Sequence, residues 1–162
     1  MHALAKITRP FALHRSLIGV AAIAAFVLAS VAWYLGSPLF LRTTADEPLR
    51  AVTATVAQGR LNIVDDLHRG TGSVRIVAVG PTRYVRFEDV AIANGPDLHV
   101  YLAPQTGGRF EATRSLYLGS LKATNGSFQY EIPAAMDVSA YRSVVVWCRA
   151  FGVLFTWADL AS

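Results

Sequence analysis

Apolar and polar positions change their spacing twice along this chain. Ser16–Leu41 is almost continuously apolar, and Leu17–Leu35 carries no charged residue. As a helix rising about 1.5 Å per residue, that stretch reaches roughly 28 Å, close to the hydrocarbon thickness of a bilayer. Trp33 and Tyr34 stand at its far end, where amphipathic rings favour the membrane interface. The spacing therefore predicts a transmembrane helix, with residues 17–41 as the anchor. Arg42–Arg50 is polar, with Pro38 and Pro48 around it, and reads as a linker. From Ala51 onwards the pattern shifts to short alternating runs broken by Gly, Pro and Asn, the language of strands and turns.

Within that second region, Ser73–Val79 places Val74, Ile76 and Ala78 on one face and Arg75 on the other. Tyr84 and Arg86 alternate with Val85 and Phe87. After the turn signal Asn94-Gly95-Pro96, Leu98, Val100 and Leu102 oppose Asp97, His99 and Tyr101. Asn125-Gly126 reads as a hairpin turn, followed by Phe128, Tyr130 and Ile132 on one face. Ser143–Cys148 and Val153–Trp157 complete the run of strands. The expected fold class is all-β: an antiparallel two-sheet sandwich over residues 51–162, preceded by one N-terminal transmembrane helix. A small β-barrel is the alternative closure.

Charge adds orientation. The formal net charge is +4, and Lys6, Arg9, Arg15 and Arg42 flank the apolar stretch. From Thr43 to Ser162 acidic and basic residues balance. The positive-inside rule then puts residues 1–16 in the cytoplasm and the C-terminal domain outside it, periplasmic or on the outer face of the membrane. Because the basic surplus sits beside a membrane segment, nucleic acid is not the expected partner. Ser30-Val31-Ala32 resembles a signal-peptide cleavage site, but the apolar run exceeds the usual 7–15 residues, which favours an uncleaved signal anchor.

Several ordered motifs carry a resemblance. Asn94–Leu102 reads NGPDLHVYL and is similar to the central motif of the DM13 domain family. Leu118–Lys122, Tyr130–Pro133, Tyr141–Cys148 and Ala158–Leu160 agree with it in order, as do Arg86–Asp89 and His68 before Gly70-Thr71-Gly72. The resemblance covers about Gly59–Ala161. It implies a β-sandwich, a cysteine in a Trp-Cys step (here Trp147-Cys148), and a proposed role in extracytoplasmic electron transfer, with a redox protein as the expected partner.

The lone cysteine, Cys148, excludes an intramolecular disulfide framework and a Cys-x-x-Cys redox pair. Two readings of it compete. As a redox thiol it needs exposure and a neighbouring positive charge, which Arg149, Arg142 and the turn at Gly152 offer. Period-two alternation instead groups it with Val144 and Val146, the apolar face, as a small buried hydrophobe. A metal site joining Cys148 to His99 or His68 is the weaker third reading. No Met or His follows Cys148, so the usual copper loop is missing, and no Cys-x-x-Cys-His occurs for covalent haem. The sequence names no cofactor. Asp97, His99 and Tyr101 form a polar strip that could bind a ligand or move protons, or simply face solvent with His99 bonded to Asp97. Thr106-Gly107-Gly108 lacks the strand–helix context of a phosphate loop, and no recognisable hydrolase constellation appears. An autonomous enzyme is not expected.

Overall fold

The computed structural model describes residues 11–40, 42–48 and 51–161 and divides the chain into two units, up to Ser37 and from Pro38 onwards. Residues 1–10, read above as the cytoplasmic end, lie outside the described residues, as do Leu41, 49–50 and Ser162.

Helix α1 runs Phe11–Phe40, and Leu17–Ser37 within it has a mean hydropathy of 2.2, long and apolar enough to cross a membrane. Leu17–Leu35 is apolar on all sides, with no charged position and no polar stripe of the kind a half-buried helix carries. The hydroxyl of Ser30 donates to the Phe26 carbonyl one turn back at 2.8 Å, so even its polar group is satisfied internally.

Among its described residues the second unit holds nine strands: β1 (Thr44–Asp46), β2 (Ala54–Arg60), β3 (Gly70–Val79), β4 (Thr82–Ile92), β5 (Leu98–Ala103), β6 (Leu116–Ser120), β7 (Asn125–Ile132), β8 (Ser143–Cys148) and β9 (Val153–Asp159). They form two sheets, β1-β7-β4-β3-β2 and β6-β5-β8-β9. Among the described residues from 42 onwards, helix is confined to single 3₁₀ turns at Ala112–Arg114 and Val138–Ala140. The alternation read from the sequence is what builds the core. Val74, Ile76, Val85, Phe87, Phe128 and Ile132 of the first sheet pack with Val100, Leu102, Val144, Val146, Phe155 and Ala158 of the second. Phe87 and Phe128 are register partners, and their rings stack 5.0 Å apart.

Two features tie the sheets at their borders. Gln58 and Ala161 exchange backbone hydrogen bonds of 2.7 and 2.9 Å, and the Asn62 N–H donates to the Trp157 carbonyl at 2.9 Å, joining the β2 and β9 borders. Tyr130, on β7, sends its hydroxyl across to the other sheet, donating to the Ser120 carbonyl (3.0 Å) and accepting from the Lys122 N–H (2.8 Å). The strand ladders themselves remain separate, one of five strands and one of four, so the closure is a sandwich and not a continuous barrel.

Two readings need correction. The stretch taken as a linker, 42–50, is partly sheet: Thr44–Asp46 pairs with β7, the one parallel pair among these strands. Its polarity serves the sheet edge. The Glu47 carboxylate accepts from the Gln129 N–H (3.0 Å) and from the Lys122 ammonium (2.7 Å). The Glu47 carbonyl accepts from buried Arg86 at 2.8 Å. A buried guanidinium needs such partners, and this segment supplies one.

The second correction concerns Asn125-Gly126, which opens β7 and is not a hairpin turn. The preceding strand, β6, belongs to the other sheet, so no hairpin joins them. Gly126 has φ +100°, and a Cβ there would sit 2.3 Å from the Ala45 carbonyl oxygen. The glycine admits β1 alongside. The tight hairpin lies instead at Gly80-Pro81, between register partners Val79 and Thr82. Gly80 takes φ +58° at the position where a two-residue turn requires it.

Candidate functional site

Cys148 ends β8, with Leu98 opposite on β5 and Val153 opposite on β9. Its relative exposure is 0%, and it belongs to the inter-sheet core with Val144 and Val146. The following turn places Gly152 so that its N–H donates to the Cys148 carbonyl at 2.9 Å, and this does not open the sulfur to solvent. Arg149 points to the other side of the sheet, where its Nε donates to the Tyr101 hydroxyl at 2.6 Å. The guanidinium adjacent in sequence therefore belongs to a different face from the thiol.

The opposite face of the same sheet carries most of the polar chemistry. Register aligns Ser120, His99, Trp147 and Leu154 in one row and Tyr117, Tyr101, Val145 and Trp157 in the next. His99 bridges two partners: Nε2 lies 2.7 Å from Asp97 Oδ1, and Nδ1 lies 3.0 Å from the Tyr117 hydroxyl. An ionised carboxylate can only accept, so Nε2 carries the proton. In the neutral ring Nδ1 is then a bare lone pair that accepts the Tyr117 O–H. Ser120 Oγ stands 3.5 Å from the same nitrogen, at the limit of a hydrogen bond.

This strip is covered and not simply solvent-facing. His99 is 7% exposed and Tyr101 4%, whereas Tyr117 remains 44% exposed. The cover comes from β6 and from the 104–115 connection. Phe110 of that connection lies 4.7 Å, centroid to centroid, from both Tyr101 and Trp147. The Gly107 N–H pins the loop by donating to Asp159 Oδ1 at 2.9 Å, so Thr106-Gly107-Gly108 is a turn folded towards the sheet. Tyr101 and Tyr117 are 5.3 Å apart, which makes Tyr117, Tyr101, Phe110 and Trp147 a continuous string of ring contacts. The Arg149 guanidinium lies 4.3 Å from the Tyr117 ring centroid and 5.5 Å from that of Tyr101. Its hydrogen bond to Tyr101 pushes its pKa up, so it stays a cation.

The structure thus joins Asp97, His99 and Tyr101 in one network and leaves Cys148 outside it. His99 and Cys148 lie on opposite faces of the sheet and do not converge. His68 sits on a loop, its Nδ1 2.8 Å from Asp65 Oδ2 and its ring edge-on to Phe155 at 4.8 Å. The hydrogen bond from the His68 side chain is the main reason the Asp65 carboxyl lies below its ordinary pKa. Among the described residues no three His, Cys, Asp or Glu side chains converge as a metal site. Glu88 pairs with Arg75, and Asp89 sits at φ +47° in the β4–β7 bulge, its N–H bonded to Ser127, so this acid pair is local structure. An open cleft of about 340 Å³ lies elsewhere, lined by Arg42, Asp66, Arg69 and Asn125 among others, and contains no member of the network.

Tyr117 and Phe110 were missed as site residues, and Arg149 was read only as a charge beside Cys148, because their role depends on three separate elements meeting. The available signal was the alternation of Leu116, Tyr117 and Leu118, which puts Tyr117 alone on the outer face.

Neither the curated proteins nor the solved structures contain a match to this chain. The family model described as "Electron transfer DM13" matches residues 62–160, which spans β3 to β9 and includes both Cys148 and every member of the outer-face network. By that match over more than half its length, the chain belongs to the DM13 family.

Proposed function

We propose that this chain is an electron-transfer accessory held at a membrane by α1, with the sandwich extracytoplasmic and the outer face of the β6-β5-β8-β9 sheet as its working surface. The family description supports the chemistry. The Lys6, Arg9 and Arg15 surplus ahead of the apolar stretch supports the orientation. Its partner is another one-electron carrier at the same membrane face.

The observation that carries this reading is the ring string from exposed Tyr117 through Tyr101 and Phe110 to Trp147, set beside an imidazole bonded to a carboxylate. Tyrosine and tryptophan rings can each give up a single electron, Phe110 bridges Tyr101 and Trp147 without being oxidised itself, and a nearby base can take the proton that a phenol sheds. Cys148 enters as packing. Thiol exchange needs one sulfur to approach another directly, and a side chain with 0% exposure provides no such approach in the closed fold. The same burial favours the second reading, a non-redox structural or binding module of the cell envelope with an inert cysteine.

Voltammetry of the full-length chain in detergent separates these readings, with Cys148→Ser and Cys148→Ala as companions. The expected result is a reversible one-electron couple that survives both substitutions. Loss of the couple in both variants, with the fold intact, would return the thiol to the centre. No couple in any form of the protein would leave the binding module. Intact-cell treatment with a membrane-impermeant thiol reagent should label Cys148 only after denaturation.

A further inference from the structure

The geometry points to Tyr117 as the residue that gives up the electron, with His99 as the base that takes its proton and Asp97 as the positioning residue behind it. This rests on the electron-transfer reading above and goes beyond it by naming the redox atom and the fate of the proton.

Three observations single out Tyr117 from the neighbouring rings. It is 44% exposed, so an external oxidant can reach it, whereas Tyr101 is 4% exposed. Its hydroxyl lies 3.0 Å from His99 Nδ1, within range for direct proton transfer. The Tyr101 oxygen instead faces a cation, accepting from Arg149 Nε at 2.6 Å. A phenol beside a base is easier to oxidise than one beside a guanidinium, because the phenol radical cation is strongly acidic and must shed its proton.

Arg149 sharpens the same point. Its guanidinium lies 4.3 Å from the Tyr117 centroid, so a positive charge left on the ring would meet a like charge at short range. Electron loss without proton loss is therefore disfavoured, and the two leave together. His99 is positioned to receive the proton because Nε2 is already committed to Asp97 at 2.7 Å, which leaves Nδ1 as the acceptor. The resulting imidazolium is held between the Asp97 carboxylate and the phenoxyl oxygen. At 7% exposure His99 is largely shielded from water, so the proton stays beside the radical, ready to return.

The step balances as follows. A high-potential one-electron acceptor, such as a high-valent haem on a partner protein, takes one electron from Tyr117. The phenolic O–H bond breaks, an N–H bond forms at His99 Nδ1, and Tyr117 becomes a neutral phenoxyl radical. Return of one electron reverses both changes.

The test uses the full-length chain in detergent, oxidised by photogenerated tris(bipyridine)ruthenium(III) with persulfate as the terminal acceptor. Radicals are identified by electron paramagnetic resonance, and their formation is timed by transient absorption. A neutral tyrosyl radical is expected in the unsubstituted chain and in Tyr101→Phe, and is lost in Tyr117→Phe. His99→Gln should slow its formation by roughly 10²-fold and abolish the solvent deuterium isotope effect. Asp97→Asn should slow it less and alter that isotope effect, which a purely structural role would not do. A radical undiminished in Tyr117→Phe, or a rate indifferent to both His99→Gln and Asp97→Asn, would overturn the assignment. A radical found on Tyr101 or Trp147 would also overturn it while leaving the electron-transfer reading standing. Absence of any radical together with absence of any voltammetric couple would remove both.

Discussion

Replacing Cys148 by serine measures how dry its surroundings are. The side chain is fully buried between Leu98 and Val153 and belongs to a core of valine, leucine and phenylalanine. A hydroxyl there brings one donor and two lone pairs into a site built from apolar side chains. Leaving such a group unsatisfied costs about 1–3 kcal/mol. Cys148→Ala removes the sulfur without adding polarity, and the small cavity costs about 1 kcal/mol. The expected order of stability is therefore the natural chain, then alanine, then serine. For a domain of this size each kcal/mol corresponds to roughly 3–6 °C in melting temperature, so serine should lower the transition by about 3–18 °C. Near-ultraviolet circular dichroism follows the sandwich through Trp147 and Trp157, once the contribution of Trp33 on α1 is removed with a Trp33→Phe companion. In parallel, an aromatic disulfide reagent should label native Cys148 only as fast as the fold opens. Serine matching or exceeding alanine in stability would refute the reasoning. So would native-state labelling at the rate of a free thiol, since either result means water reaches the sulfur.

Other consequences follow from particular contacts. Tyr130→Phe removes the partner of both the Lys122 N–H and the Ser120 carbonyl, and should cost about 1–3 kcal/mol by denaturant unfolding; a loss below about 0.5 kcal/mol would show that the inter-sheet strap contributes little. Burial works against ionisation of Glu47. The bonds from Lys122 and the Gln129 N–H, with the charges of Lys122 and Arg86, outweigh it and hold the carboxyl below its ordinary 4.5. A carboxyl lowered on folding contributes stability above its unfolded pKa and loses it as pH falls through the folded value. Hydrogen-exchange protection at the Glu47 and Gln129 amides, corrected for intrinsic rates, should therefore fall below about pH 4.5. Glu47→Gln should lower it already at neutral pH, and equal protection in both forms would refute the linkage. Gly126→Ala puts a methyl 2.3 Å from the Ala45 carbonyl at φ +100°, so β1 should detach. Exchange at Glu47, whose N–H bonds to the Ser127 carbonyl at 2.8 Å, should then approach that of an open chain while β4 amides stay protected. Unchanged protection at Glu47 would show that the strand accommodates the methyl.

What could be read from the chain alone was whatever depends on periodicity. An uncharged apolar stretch is a property of consecutive residues, and so was the helix it predicts. Alternation likewise put Val144, Val146 and Cys148 on one face and Trp147 on the other, because a strand has two sides and little further freedom. The linker failed because pairing of Thr44–Asp46 depends on an edge of β7 more than 80 residues away, where Thr44 meets Asn125. Asn125-Gly126 failed for a related reason: positive φ at a glycine serves a close approach as readily as a turn, and only the neighbouring strand tells them apart. The site divides along the same line. Asp97, His99 and Tyr101 could be grouped from spacing, since residues two apart share a face. Tyr117, Phe110 and Arg149 join them only through register between β5, β6 and β8 and through the folded 104–115 connection. Side-chain chemistry can be read one residue at a time, but whether a phenol meets an imidazole or a guanidinium is decided by how separate strands are brought together.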